Sequence, residues 1–233
     1  MFRFMNQVHA TAIVGPYVSM GTGNIIGPYA VLGGSVSLGN DNWIGGGSKI
    51  GCPPEVRSFR HEPDWITSEE GEGVAIGNEN VIREDVQIHG GWKSRTHIGD
   101  RGFVMNQTYV AHDCKISDDV TLASGVALGG HSRIGNGANL GLGSTVHQGR
   151  VIGAFAMIGM ASVVTRHIRP FVKAFGSPCT VRGLNLVGLE RAGISSQTIR
   201  RLVEIEGGDS PLEAQRGLEE VEGYLNWFSG SIA

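Results

Sequence analysis

Residues 98–164 read IGDRGFVMNQTYVAHDCKISDDVTLASGVALGGHSRIGNGANLGLGSTVHQGRVIGAFAMIGMASVV. An aliphatic residue returns at every sixth position: Ile98, Val104, Val110, Ile116, Leu122, Leu128, Ile134, Leu140, Val146, Ile152, Ile158 and Val164. Six residues of helix turn about 240° past whole rotations, so a helix would scatter these side chains over three faces. A strand keeps them on one face, because six is even and strand side chains alternate with a period of two. The residue after the aliphatic is often Gly (Gly99, Gly129, Gly135, Gly141, Gly153, Gly159), which suits a corner. The fourth residue after it is usually small, with Arg150 the clear exception. Short strands with a corner every six residues wind into a solenoid, and three hexads close one triangular coil of 18 residues. The fold class expected is an all-β solenoid with the aliphatics stacked inside.

The same register runs through Val8, Val14, Met20, Ile26, Leu32, Leu38, Ile44 and Ile50. It breaks at 51–73, which holds Pro53, Pro54, Pro63 and Trp65, and resumes at Ile76, Ile82 and Ile88. A second break, 90–97, carries Gly90, Gly91 and Trp92. Loops held on a rigid scaffold are where function concentrates. The β-helix is expected to occupy 1–170 and a C-terminal helical segment 171–233, capping the open end of the solenoid. One helix is predicted near Ser195, with Ile199, Leu202 and Val203 on one face. Another is predicted from the Ser210-Pro211-Glu213 capping signal, with the stripe Leu218, Val221 and Leu225.

The 233 residues carry a net charge of −3 and include 37 glycines, with a sequence pI near 6.2. No signal-peptide pattern and no apolar run of membrane-spanning length occur. Cys52, Cys114 and Cys179 lack metal-ligand spacing, and Cys114 falls on an inward position. The odd cysteine count favours a reducing compartment, so the expected localisation is cytoplasmic. Between Arg166 and Arg201 seven basic residues stand against Glu190 alone, a local charge of +6. No aromatic residues interleave with them as a nucleic-acid surface would need, so an acidic protein or a phosphorylated ligand is the better partner.

Of eight histidines, three align through the repeat. One coil above His112 falls beside His131, and two coils above falls on Gln148 beside His147, so these polar residues share one edge of the solenoid. A zinc site of the kind a solenoid can carry needs histidines five apart. No pair here has that spacing, and no metal is expected.

Tyr109-Val110-Ala111-His112-Asp113-Cys114, Gly129-Gly130-His131 and Val146-His147-Gln148 resemble the UDP-N-acetylglucosamine 3-O-acyltransferases that begin lipid A synthesis. So do Val81-Ile82-Arg83-Glu84 through Ile88-His89, Pro170-Phe171, and Asn185 through Gly188-Leu189-Glu190-Arg191. The resemblance spans roughly residues 8–200. It implies a left-handed parallel β-helix, an exception to the usual right-handed crossover, assembled as a homotrimer with sites between subunits. It implies acyl transfer from the phosphopantetheine thioester of acyl carrier protein to a UDP-sugar, with no other cofactor. His112 matches the general base, Asp113 the residue that orients it, and Gly130 the N–H donor to the oxyanion. His89, Tyr109, His131, His147, Gln148, Asn185 and Arg191 match substrate-contacting positions, and Met160 matches the position that limits acyl length. Asp113 beside His112 requires a corner, since strand neighbours point to opposite faces.

The chain departs from that family's pattern at Glu55-Val56, where the family has Gln-Asp. It departs also at Tyr109 for His, Gly90 for Arg and Ala192 for Arg. These changes fall on acceptor-side positions and leave the catalytic block intact. Two other readings compete. Gly176-Ser177-Pro178-Cys179 looks like the turn of acetyl-CoA- or acyl-CoA-dependent hexapeptide transferases acting on another nucleotide sugar. A non-catalytic solenoid scaffold would not need His112, Gly130 and His147 in this register.

Overall fold

The computed structural model describes residues 5–206 and 217–232. Short parallel strands stack into three sheets, each strand feeding the next sheet in turn. Sheet A carries Phe103–Val104, Thr121–Leu122, Asn139–Leu140 and Met157–Ile158; sheet B carries Tyr109–Val110, Ala127–Leu128 and Thr145–Val146; sheet C carries Lys115–Ile116, Arg133–Ile134 and Val151–Ile152. Pairing runs at 18 residues, as in Phe103 with Thr121 and Thr121 with Asn139. Each hexad aliphatic therefore lies on the one below. Ile98, Val110, Leu122, Leu128, Ile134, Leu140, Ile152 and Ile158 are at most 1% exposed. Burial of such side chains at roughly 25 cal/mol per Å2 is the main force holding the coils together.

The third residue of many corners has positive φ: Asp113 +61°, His131 +62°, Gly149 +67°. That conformation lets the corner close within four residues, and Asp and His are among the side chains that tolerate it. The second corner residue then has an N–H pointing away from the coil. Along the C–A edge side chains answer this need. The N–H groups of Thr22, Asn40, Asn78 and Asp100 donate to the side-chain oxygen of Asn40, Asn78, Asp100 and Asp118 respectively, one coil on. Beside that ladder, buried Asn24, Asn42 and Asn80 form another, each amide oxygen accepting the next backbone N–H. Buried amides are tolerated because these donors and acceptors are matched.

Both loops leave from sheet B and return to sheet C. Asn42 and Asn80, on successive coils, lie 38 residues apart instead of 18, an insertion of 20. Asn80 and Gly102 lie 22 apart, an insertion of 4. The second loop is shorter than predicted, since Thr96 already begins the strand Thr96–Ile98. The loops are joined to each other by a bridge between Gly73 and Gly91.

The boundary predicted at 170 lies inside the sheet. Val172–Phe175 extends sheet A in parallel with Met157–Ile158, and Thr180–Leu184 returns antiparallel to it. Gly176-Ser177-Pro178-Cys179 is the turn of this hairpin. Pro170 read as an end because it lacks an N–H, yet it sits at a corner where none is needed. Helices follow at Leu186–Arg191 (α1), Ser196–Glu206 (α2) and Glu219–Ile232 (α3). α1 was not predicted; α2 is, with Leu202 buried and Val203 exposed. The Ser210-Pro211-Glu213 start lies outside the described residues, while Val221 and Leu225 are buried as their stripe requires. Instead of only capping the end, α3 packs along the prism. It contacts Val151–Ile152, Tyr224 meets Phe155 edge-on, and Trp227 lines a cleft with His97, Lys115 and Arg133.

Candidate active site

The B–C edge collects both loops and, above them, the corners His112-Asp113, Gly130-His131 and His147-Gln148. His112 Nδ1 lies 2.6 Å from Asp113 Oδ2. The Asp113 carboxylate is wholly buried, and the second loop is wrapped around it. Its Oδ1 accepts from the N–H groups of Lys93 at 2.8 Å and Ser94 at 2.5 Å and from the Ser94 hydroxyl at 3.2 Å, and its Oδ2 from Trp92 N–H at 3.2 Å. Burial alone would raise the carboxyl pKa. The hydrogen bonds from His112 and the three backbone N–H groups outweigh it and hold the group at about 2. Asp113 is thus a fixed anion. Its stabilising contribution, on the order of 2 kcal/mol, is present above pH ~4 and is lost as pH falls through about 2.

A carboxylate can only accept, so His112 Nδ1 carries the proton and Nε2 is left as the acceptor. The His112 ring is held on its other sides. Trp92 meets it edge-on at 6.4 Å between centroids and His131 at 5.1 Å. Gly130 packs beneath it. A Cβ at 130 would stand 2.7 Å from His112 Cε1 and 2.8 Å from Nε2, so only glycine leaves the ring in place. At this corner no side chain from the next coil covers the outward N–H of the second residue. Gly130 N–H meets no protein acceptor among the described residues, in contrast with the answered N–H groups of the C–A edge.

The other expected residues divide by place. His131, His147 and Gln148 are exposed along the same edge. His89 lies two coils below His131, 7% exposed, with Nδ1 2.7 Å from Pro53 O. That carbonyl can only accept, so His89 Nε2 is a bare acceptor; it is buried and has no partner. Tyr109 tilts over His89 at 5.2 Å and donates its hydroxyl to Glu55 in the first loop. Burial and the Glu55 carboxylate push the phenol up. The Tyr109 hydroxyl is therefore engaged by the chain itself.

Asn185 and Arg191 lie elsewhere. They border an open cleft of about 780 Å3 over sheet A, with Thr121, Asn139, Met157 and Lys173 on its floor. In a triangular prism sheet A is the face opposite the B–C edge, so one chain does not bring these residues to His112. Asn185 caps α1, accepting from Gly188 N–H at 3.2 Å and donating to Phe155 O at 2.9 Å. Met160 sits at the A–B corner, 72% exposed, which rules out core filling as its role.

The basic stretch is less open than its formal charge. Arg169 pairs with Glu206 and Arg201 with Glu204, whereas Arg166, Lys173, Arg182, Arg191 and Arg200 make no ion pair among the described residues. Donor atoms of His112, Asp113 and His131 fall within 4.8 Å of one another, as ligands of an ion could. Both Asp113 oxygens already accept hydrogen bonds from the chain itself. Ser94 and Thr96 were not marked by the sequence, and Trp92 and Glu55 were marked only as a loop residue and as a departure from the family's pattern. The loop shifts the hexad register there, and backbone donors leave no signature in side-chain identity.

A rigid imidazole–carboxylate pair thus stands beside an open N–H on the edge of a parallel β-helix. Comparison with known proteins gives the family. Residues 168–205 match the family model described as Udp N-acetylglucosamine O-acyltransferase, Domain 2. Acyl-[acyl-carrier-protein]--UDP-N-acetylglucosamine O-acyltransferase from Thermodesulfovibrio yellowstonii is 38% identical over 85% of this chain and 82% of its own length. The Synechocystis protein of the same name is 37% identical over 90% and 67%. The crystal structure of UDP-N-acetylglucosamine O-acyltransferase from Moraxella catarrhalis covers 97% of this chain and 92% of its own, at 31% identity and a TM-score of 0.69. The Campylobacter jejuni UDP-N-acetylglucosamine acyltransferase aligns over 96% and 90% at 26% identity, with a TM-score of 0.83. The chain is a left-handed parallel β-helix and belongs to the UDP-N-acetylglucosamine O-acyltransferase family.

Proposed function

We propose that the chain transfers a 3-hydroxyacyl or simple acyl group from the phosphopantetheine thioester of acyl carrier protein to the 3-hydroxyl of UDP-N-acetylglucosamine or a related UDP-sugar, with His112 as base. The observation that carries the mechanism is the His112 ring held between the Asp113 carboxylate and Gly130. His112 Nε2 takes the proton of the sugar hydroxyl as that oxygen attacks the thioester carbon. Charge developing on the carbonyl oxygen is met by Gly130 N–H. The C–S bond breaks, and the imidazolium returns its proton to the departing thiolate. Asp113 stabilises the imidazolium throughout without itself gaining a proton.

A homotrimer fits the separation of the site residues. Asn185 and Arg191 on the sheet A side reach His112 only if one copy sets that side against another copy's B–C edge, where Arg191 would pair with nucleotide phosphates. No helix of the described residues is long and apolar enough to cross a membrane. Cys52, Cys114 and Cys179 are unpaired thiols, which supports a cytoplasmic setting. The deciding experiment offers UDP-N-acetylglucosamine with matched acyl donors on carrier protein and on CoA. Faster transfer from the carrier protein is expected; transfer from CoA alone would favour the CoA-dependent reading, and no transfer from either would sink both.

Met160 bears on acyl length. An exposed methionine at the A–B corner, near exposed Leu142 and Val163, is placed to shorten an apolar groove. Its thioether is flexible, so it blunts the groove instead of sealing it. Met160→Gly is expected to move the optimal donor to longer chains, each accepted methylene shifting selectivity by about 1–3 kcal/mol. The melting temperature should hold, since the side chain leaves no cavity. An unchanged chain-length profile across a donor series would remove Met160 from this role.

A further inference from the structure

The second loop does more than cross the edge. Asp113 is fixed from two directions by groups outside the His112–Asp113 pair. Its backbone N–H donates to Thr96 Oγ1 at 2.9 Å, and Thr96 is fully buried at the first position of its strand. Its carboxylate is clamped by the N–H groups of Trp92, Lys93 and Ser94. The turn that aims those three N–H groups depends on Gly91. A Cβ there would stand 2.0 Å from Ser94 O and 2.7 Å from Ser94 C, too close for any side chain. Gly91 is itself tied down, its N–H to Gly73 O at 2.9 Å and its carbonyl to Glu72 N–H at 2.8 Å; Thr96 N–H also reaches Gly73 O, at 3.1 Å. The neighbouring Gly90 has nothing nearer than 3.5 Å to an added Cβ.

We propose that Thr96 and the Gly91–Ser94 turn are positioning elements for the acyl-transfer base: they hold Asp113 in the one orientation that keeps the proton on His112 Nδ1 and leaves Nε2 to the substrate. The physical case is one of fixed geometry. Asp113 sits at φ +61°, as the third residue of other corners does, but where the N–H groups of His131 and Gly149 find the carbonyl of the coil below, that of Asp113 finds Thr96 Oγ1. Thr96 supplies the acceptor for the N–H of that residue. The loop supplies donors that occupy Oδ1, so that Oδ2 is the oxygen turned to His112. Without them the carboxylate can rotate about χ2, and its bond to the ring is made only part of the time. The base is then misaimed although every reacting group is still present. Neither Thr96 nor Gly91 touches substrate, so the loss falls on turnover and not on binding.

This inference rests on His112 acting as the base, and the test separates the two. Thr96→Val keeps the side-chain shape and removes the acceptor; Thr96→Ser restores it. Gly91→Ala breaks the turn. Thr96→Val and Gly91→Ala are expected to lower kcat by about 10- to 100-fold with the acceptor KM nearly unchanged, as for small misplacement of a catalytic group. Thr96→Ser is expected to stay within about threefold of the parent. Rescue by Thr96→Ser ties the loss to the hydroxyl acceptor and not to the volume of the side chain. Should Thr96→Val melt early, Gly91→Ala, measured on folded protein, decides alone. Parent-like kcat in both Thr96→Val and Gly91→Ala, or a loss confined to KM, overturns the proposal. If His112→Ala also retains its rate, the base assignment falls with it; if His112→Ala is inactive, only the positioning role is lost.

Discussion

His112→Ala is expected to lower kcat by about 10²–10⁴-fold, the usual contribution of a general base. The acceptor KM should change far less, and the melting curve should stay near the parent's. The side chain stands at a corner, outside the apolar column that holds the coils, so its removal exposes no core residue. Asp113 keeps its three backbone donors and its clamp when the ring is gone. The variant would retain Gly130 N–H and the substrate-contacting edge, and with them the part of the rate that orientation and oxyanion stabilisation supply. The comparison is made by steady-state kinetics with purified acyl carrier protein donor and UDP-sugar, alongside circular dichroism on heating. Near-parent kcat in folded His112→Ala would mean the proton leaves by another route.

The core of this fold stands in the primary structure almost without loss. Ile98 to Val164 repeat at six because side chains alternate at two, and those residues are buried where the repeat puts them. The same arithmetic brings His112, His131 and Gln148 to one edge. It also carries information that is easily passed over: Ile50 and Ile88 precede the two loops and share a sheet with Val110, so both loops had to emerge beside His112. Four features were not legible. The clamp on Asp113 is made chiefly of backbone N–H groups, which any sequence possesses. The Glu55–Tyr109 contact spans 54 residues and closes a loop whose path no repeat constrains. Asn185 shows how a motif match can carry more than one meaning. The same Asn-x-x-Gly spacing that resembles a substrate contact is also a helix cap, and the amide here is bonded on both sides by backbone. The hairpin Val172–Leu184 was hidden by Pro170, which reads as a terminator although a corner accommodates it.

Asp113→Asn is expected to cost more than its size implies, a fall in kcat on the order of 10⁴-fold, the loss known for the same change beside a catalytic histidine in serine proteases. The loop decides this. Three N–H groups and the Ser94 hydroxyl converge on Asp113, with Oδ1 as their main target. An asparagine can meet the Lys93 and Ser94 N–H groups only with its carbonyl oxygen, which sets its NH2 at the position of Oδ2, 2.6 Å from His112 Nδ1, with loss of the longer Trp92 bond alone. An NH2 group donates. It therefore selects the imidazole tautomer with Nδ1 bare and Nε2 protonated, and an Nε2 that carries a proton cannot take one from the sugar hydroxyl. The flipped amide would repair the tautomer only by setting NH2 against Lys93 and Ser94 N–H, leaving buried donors facing each other at a cost of roughly 1–3 kcal/mol each. Asp113→Ala, which imposes no tautomer, should be the milder of the two in kcat, though it loses more stability by leaving the loop N–H groups unanswered. The isosteric variant should also unfold with less dependence on acid, because the group held at about 2 is no longer titratable. Measured side by side, Asn worse than Ala in turnover and better in melting temperature is the expected pair of results. Ala equal to or worse than Asn in turnover would mean that the carboxylate acts by charge alone, and that the tautomer of His112 is set by something other than Asp113.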